Sequence, residues 1–191
     1  MASECSNWRI EMRITAVFGI SGVGKSRLIG QLAEQHDIIR ASASALMAEA
    51  KSGQLARPVG SEELRTGNVV DNQAFLIAAF AALRLRESRD IVFDGHNVID
   101  TDEGLVDIPF EVIEALHLTA IVVIVDDPFE IARRRQSDTG RSRPARTAEN
   151  LANYQERVVS IARDYAARLS VPFITVRSGD AANFTAALVD T

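Results

Sequence analysis

The sequence predicts an α/β protein in which a five-stranded parallel sheet lies between two layers of helices. Three observations predict it. Five short runs, RITAVF, DIIRAS, DIVFDG, AIVVIV and PFITV, read as strands, and AIVVIV is continuously apolar, as strands buried on both faces are. Helical segments separate these runs, and strands alternating with helices give a parallel sheet covered on both sides. At 191 residues, 47% of them hydrophobic, the chain can bury one full core.

In chain order, residues 1–11 read as a leader or an alternative start, with Met12 a plausible native beginning, and residues 12–191 as one domain. RITAVF is the first strand. The helix that opens at Gly24–Lys25 places Leu28, Ile29, Leu32 and Ala33 on one face. DIIRAS is a short second strand, followed by a helical stretch around Ala45–Ala50 and a Gly- and Pro-marked loop, GQLARPVGSE. A long helix is expected over Val70–Glu87, and DIVFDG (90–95) is a third strand ending in a carboxylate. NVIDTDEGLVDIP is read as loop, its acidic residues Asp100, Asp102, Glu103 and Asp107 solvated, and FEVIEALH as a short helix. AIVVIV (120–125) is the fourth strand, with Asp127 and Pro128 as N-cap and first residue of the next helix. A helix over Ala148–Leu169, the strand PFITV and a last helix over Ala181–Val189 complete the chain.

Charge is mildly acidic, −5 with a pI of about 5.3, which speaks against a general nucleic-acid or anionic-membrane surface. Of 21 basic residues only Lys25 and Lys51 are lysines. The single cysteine, Cys5, excludes an intrachain disulfide and fits a reducing compartment. The N-terminus lacks the apolar core of a signal peptide, and the longest apolar run, AFLIAAFAAL, is about half of a bilayer span. A cytoplasmic protein that does not enter membranes is expected.

The stretch GISGVGKS, Gly19–Ser26, carries the clearest chemistry. It fits G-x-x-x-x-G-K-[ST] with a strand before it and a helix after it, the context a phosphate loop requires. The glycines let backbone amides wrap oxyanions, and the helix N-terminus adds partial positive charge. Gly19, Ser21, Gly22, Val23, Gly24, Lys25, Ser26 and Arg27 are therefore the expected ATP site, with Lys25 on the β- and γ-phosphates and the Ser26 hydroxyl on Mg²⁺. A second metal oxygen should close a neighbouring strand. Asp94 is favoured over Asp126, because the Asp126–Asp127 pair is also explained as a cap before Pro128.

RRRQSDTGRSRPAR sets six arginines against one acid, Asp138, within 14 residues. A solvated face or a nucleic-acid patch would explain a charge run. Planar guanidinium forks in a short Gly/Pro-marked segment also suit a lid, about 137–147, that closes over a transferring phosphoryl group. No water-positioning residue announces itself, which points to transfer rather than hydrolysis.

Together these residues resemble the archaeal-type adenylate kinases among the P-loop nucleoside monophosphate kinases. The resemblance covers nearly the whole chain from Met12 and rests on GISGVGKS, EELR, DGHN and RRRQSDTGRSRP. It implies the P-loop NTPase architecture, α/β/α in three layers with short monophosphate-binding and lid segments. It further implies an ATP-dependent phosphotransferase that uses Mg²⁺, with AMP as first acceptor. Carried over by position, Arg134, Arg141 and Arg143 would clamp phosphate, with Arg135 a weaker candidate, and Asp94 would serve the metal or catalytic water. Arg65 would bind the acceptor phosphate, with Ser44, Gln73 and His96 beside the acceptor, and Arg177 would lie near the donor base.

ASASALMAEA, small and Ala/Ser-rich where the acceptor should approach, keeps open a P-loop kinase for another small metabolite or a nucleic-acid 5′ end. The resemblance, which extends to the family's nuclear relatives, keeps open a further alternative, an ATP-binding regulatory or assembly protein with weak ATPase activity. The absence of a broad basic groove argues against nucleic acid. His36 and His117 read as caps or surface groups. Oligomeric state is not legible.

Overall fold

A computed structural model describes residues 12–60, 63, 69–138 and 144–189, with the backbone alone for 69–71. The predicted leader and Arg65, Arg141 and Arg143 lie outside the described residues.

All five expected strands form, and they pair in parallel. The strands β1 (Ile14–Phe18), β2 (Ile39–Ser42) and β3 (Ile91–Asp94) are joined by β6 (Ala120–Val125) and β7 (Phe173–Arg177) in the order β2-β3-β1-β6-β7. Every residue of β1 is buried, as are the first five of β6, so both faces of the sheet centre are covered. The covering helices are α1 (Lys25–Gln35), α2 (Ala43–Leu55), α3 (Val69–Arg86), α4 (Phe110–Glu114), α5 (Pro128–Ser137), α6 (Ala148–Leu169) and α7 (Ala181–Val189). α1 buries Leu28, Ile29 and Leu32, and α6 buries Leu151, Tyr154, Val158, Ala162, Tyr165 and Ala166, the i, i+3, i+4 spacing of one helical face. α3 reaches the sheet through Phe80, whose ring meets Phe93 edge-on at 5.4 Å.

Helix boundaries follow local chemistry. Asp127 caps α5 as expected, its side chain accepting from the Phe129 and Glu130 amides. Thr147 caps α6 by accepting from the Asn150 amide, and Ser170 ends it in the left-handed conformation. α2 runs to Leu55, so the helix takes in Gly53–Leu55, which the punctuation had assigned to the loop.

One expectation fails outright. The acidic segment read as a solvated loop is an antiparallel hairpin, β4 (Val98–Thr101) and β5 (Gly104–Asp107), turned over Asp102–Glu103. It is fastened to α6. Asn97, buried just before it, donates from Nδ2 to the Val158 carbonyl at 2.8 Å, and the buried Tyr154 hydroxyl donates to the Val98 carbonyl at 2.9 Å. Arg157 forks onto both Asp107 oxygens at 2.8 Å, and the Tyr165 hydroxyl donates to the Ile108 carbonyl. Among the described residues no helix is long and apolar enough to cross a membrane.

Candidate functional site

Parallel sheets bind ligands at the carboxyl ends of their strands, where connections leave in opposite directions. Here β1 is central, its chain leaves towards β2, and β6 lies on its other side. The loop Gly19–Ser26 springs from that point. Its first residue passes close to β6: a Cβ on Gly19 would come within 2.7 Å of the Ile124 carbonyl oxygen, and its φ of 143° is one that side chains avoid.

The loop carbonyls have partners of several kinds. The Gly19 carbonyl accepts from Lys25 Nζ at 2.8 Å, and the Ile20 carbonyl from the Val23 amide at 3.2 Å. The Ser21 carbonyl accepts from Arg135 Nε at 2.9 Å, and the Val23 carbonyl from Arg134 Nη1 at 3.2 Å. The Gly24 carbonyl begins α1, accepting from the Arg27 and Leu28 amides. Because a trans peptide sets C=O and N–H on opposite sides, the amides of Gly22 and Gly24 point away from the two arginines. Lys25 is only 7% exposed and lies along the loop, while Ser26 and Arg27 are exposed at the start of α1.

The neighbouring strand ends carry the carboxylates. Asp94 is level with Val17 of β1 on one side and Ser42 of β2 on the other. Its Oδ2 accepts from Arg40 Nη2 at 2.7 Å. Asp126 closes β6, where Gln155 bridges its main-chain N–H and C=O, and its Oδ2 pairs with Arg134 Nη2. Asp126 and Asp94 thus each hold a guanidinium, Arg134 and Arg40, and Asp94 is the one in register with Val17 of the strand that leads into the loop. Ser178, after β7, meets Arg134 Nη1 at 3.2 Å, which brings the end of β7 and its exposed Arg177 to the rim of the loop.

Of the predicted residues, the structure therefore groups the Gly19–Arg27 stretch with Arg134, Asp94 and the β7 end. His96 is exposed two residues past Asp94. Ser44 is exposed in the first turn of α2, its hydroxyl 3.1 Å from that of Ser42. Gln73 is buried on α3 beside Asn72, which accepts from Lys51 Nζ at 2.8 Å. Ser178 lies in the Arg177–Gly179 loop expected beside the donor base, while sequence reasoning missed Arg40 and Asp100. Arg40 was within reach of it, being two residues before the end of a strand that borders Asp94. Arg135, its phosphate role weakly marked in sequence, faces the loop backbone.

The donor set suits a hard cation. Ser26 and Asp94 offer oxygens, and Asp94 already draws a guanidinium cation. Among the described residues no group of three or more His, Cys, Asp or Glu could cage a metal, so magnesium here would be held chiefly by nucleotide phosphates and water.

The fold and this loop define a P-loop kinase. The family described as an AAA domain matches residues 18–152. The adenylate kinase of Thermoplasma acidophilum is 28% identical over 160 residues, 82% of each chain. That of Pyrococcus horikoshii is 30% identical over 149 residues, 75% of this chain and 74% of that protein. Among solved structures, the shikimate kinase of Bacteroides thetaiotaomicron superposes with a TM-score of 0.58 over 94% of this chain and 99% of its own, at 11% identity, a likeness of fold. The chain belongs to the AAA-domain family and, within the P-loop kinases, to the archaeal-type adenylate kinases. It is a nucleoside monophosphate kinase-like phosphotransferase.

Proposed function

We propose that the protein moves the γ-phosphoryl group of Mg·ATP to a nucleoside monophosphate, AMP first among them, in a cytoplasmic setting. The observation that carries this reading is the phosphate loop, its Ser21 and Val23 carbonyls drawn off by two arginines and its neighbouring strand closed by Asp94. The adenylate kinase relatives support the choice of acceptor.

In this scheme an acceptor phosphate oxygen bonds to the γ-phosphorus while the bond to the β–γ bridging oxygen breaks, leaving two diphosphates. Transfer of this kind needs positioning and charge more than a covalent nucleophile. The amides of Gly22 and Gly24 and the N-terminus of α1 meet the donor oxygens, and Lys25 supplies a full charge to the transferring group. Ser26 and Asp94 would hold magnesium together with the nucleotide, and the ion would supply positive charge to the phosphates during transfer. Arg134 fixes the loop from its place between Asp126, Val23 and Ser178. On sequence grounds Arg141 and Arg143 clamp the phosphates from a lid over 137–147, and Arg65 anchors the acceptor phosphate. Ser44, Gln73 and His96 face the acceptor, and Arg177 the donor base.

A second reading, transfer to a phosphate-free metabolite, is favoured by one observation. The first two turns of α2, Ala43–Ala50, hold no cation to grip a second phosphate, and Lys51 is occupied by Asn72 and the Phe75 ring. Incubating the protein with Mg·ATP and a panel of monophosphates and small hydroxylated acids and sugars, with products separated by chromatography, decides between them. ADP together with a second nucleoside diphosphate upholds the first reading. A phosphorylated metabolite with every monophosphate untouched replaces it.

A further inference from the structure

We propose that Asp100 is a positioning residue for the phosphate loop, acting through Arg135. Asp100 sits on β4 with its side chain 7% exposed, and Arg135, equally buried, reaches it from the last turns of α5 at 3.3 Å. Arg146 adds a second guanidinium, donating to Asp100 Oδ1 from Nη2 at 2.9 Å. A carboxylate removed from water is stable only when its lone pairs are met by charged donors, and these two arginines meet them.

The pairing fixes what Arg135 does next. With Nη1 on Asp100, the same planar fork turns Nε onto the Ser21 carbonyl at 2.9 Å. Its stem presses on the loop. A Cβ at Gly22 would come within 2.9 Å of Arg135 Cγ, and the Gly22 φ of 85° admits glycine readily and other residues poorly. The Ser21 carbonyl is thereby drawn to the α5 side, and the Gly22 amide is turned and polarised towards the opposite side, where a phosphate oxygen can accept from it. Asp100 does this from a rigid base. Its hairpin is tied to α6 by Tyr154, Asn97 and Arg157.

The role concerns the donor triphosphate and holds whichever acceptor is used, so it is tested with ATP alone. ATP affinity is measured by calorimetry on the whole chain for the parent, Asp100→Asn, Arg135→Gln, their double variant, and Asp107→Asn, which breaks the hairpin's ion pair with Arg157. Urea midpoints and the ¹⁵N shift of the Gly22 amide are recorded alongside. The expected result is at least a tenfold loss of ATP affinity in Asp100→Asn and in Arg135→Gln, no further loss in the double variant, a displaced Gly22 amide, and unchanged affinity in Asp107→Asn. Should Asp100→Asn not fold, Arg135→Gln carries the test. Folded variants with ATP affinity within twofold of the parent overturn the proposal, as do losses that simply multiply in the double variant. A loss of equal size in Asp107→Asn also overturns it, since the effect would then be general loosening of the hairpin.

Discussion

Lys25 shows how a single side chain is prepared by its surroundings. It is buried, yet its ammonium is satisfied by the Gly19 carbonyl, at the entrance of the loop it serves. Lys25→Ala is expected to lower turnover by orders of magnitude at an unchanged urea midpoint, because the charge it brings is used on the transferring group. Arg40 lends itself to a finer test. It donates to Asp94 at 2.7 Å, so a cation seeking that carboxylate must displace it. Arg40→Ala should therefore lower the magnesium concentration that gives half-maximal turnover, and a rise would mean that Arg40 assists the metal instead. At this scale the sequence spoke unevenly. The loop was fully legible because its residues are contiguous. The partners of its carbonyls were not, since Arg134 and Arg135 lie 111 and 114 residues away and their pattern suggested outward clamps.

The strands and long helices could be read almost to the residue, because apolar runs, Asp127–Pro128 and Thr147 mark their own boundaries. The hairpin β4–β5 could not. Its carboxylates look solvated in the sequence, and the arginines that neutralise Asp100 and Asp107 come from 35 to 50 residues further on. Its attachment to α6 makes a prediction of its own. Tyr154 and Tyr165 are the chain's only tyrosines, and both phenols ionise above the ordinary 10.0, Tyr165 pushed up to about 12, burial being the main cause for each. A phenol held protonated when folded ionises first in the unfolded chain. Its contribution is full below about pH 10 and is lost as pH rises towards the folded value. Stability should fall from pH 10 upwards, and tyrosinate absorbance should appear together with loss of helical circular dichroism. Tyrosinate absorbance appearing near pH 10 with the helices intact would contradict the burial of these two phenols beneath the hairpin.

Across the whole molecule, one sheet gathers its chemistry at a single edge. The order β2-β3-β1-β6-β7 sets the end of β3 on one side of the loop that leaves β1 and the ends of β6 and β7 on the other, so that Asp94 flanks it from one side and Asp126 and Ser178 from the other, although 84 residues separate the first from the last. That order does not follow from composition or periodicity, which fix the elements. The most direct test of the account is a ³¹P NMR record of the protein with Mg·ATP and AMP. Loss of the ATP β-phosphate signal should be matched by twice that amount of ADP, with little inorganic phosphate released. Inorganic phosphate as the sole product, or ATP left intact with AMP and with every other monophosphate, would contradict it.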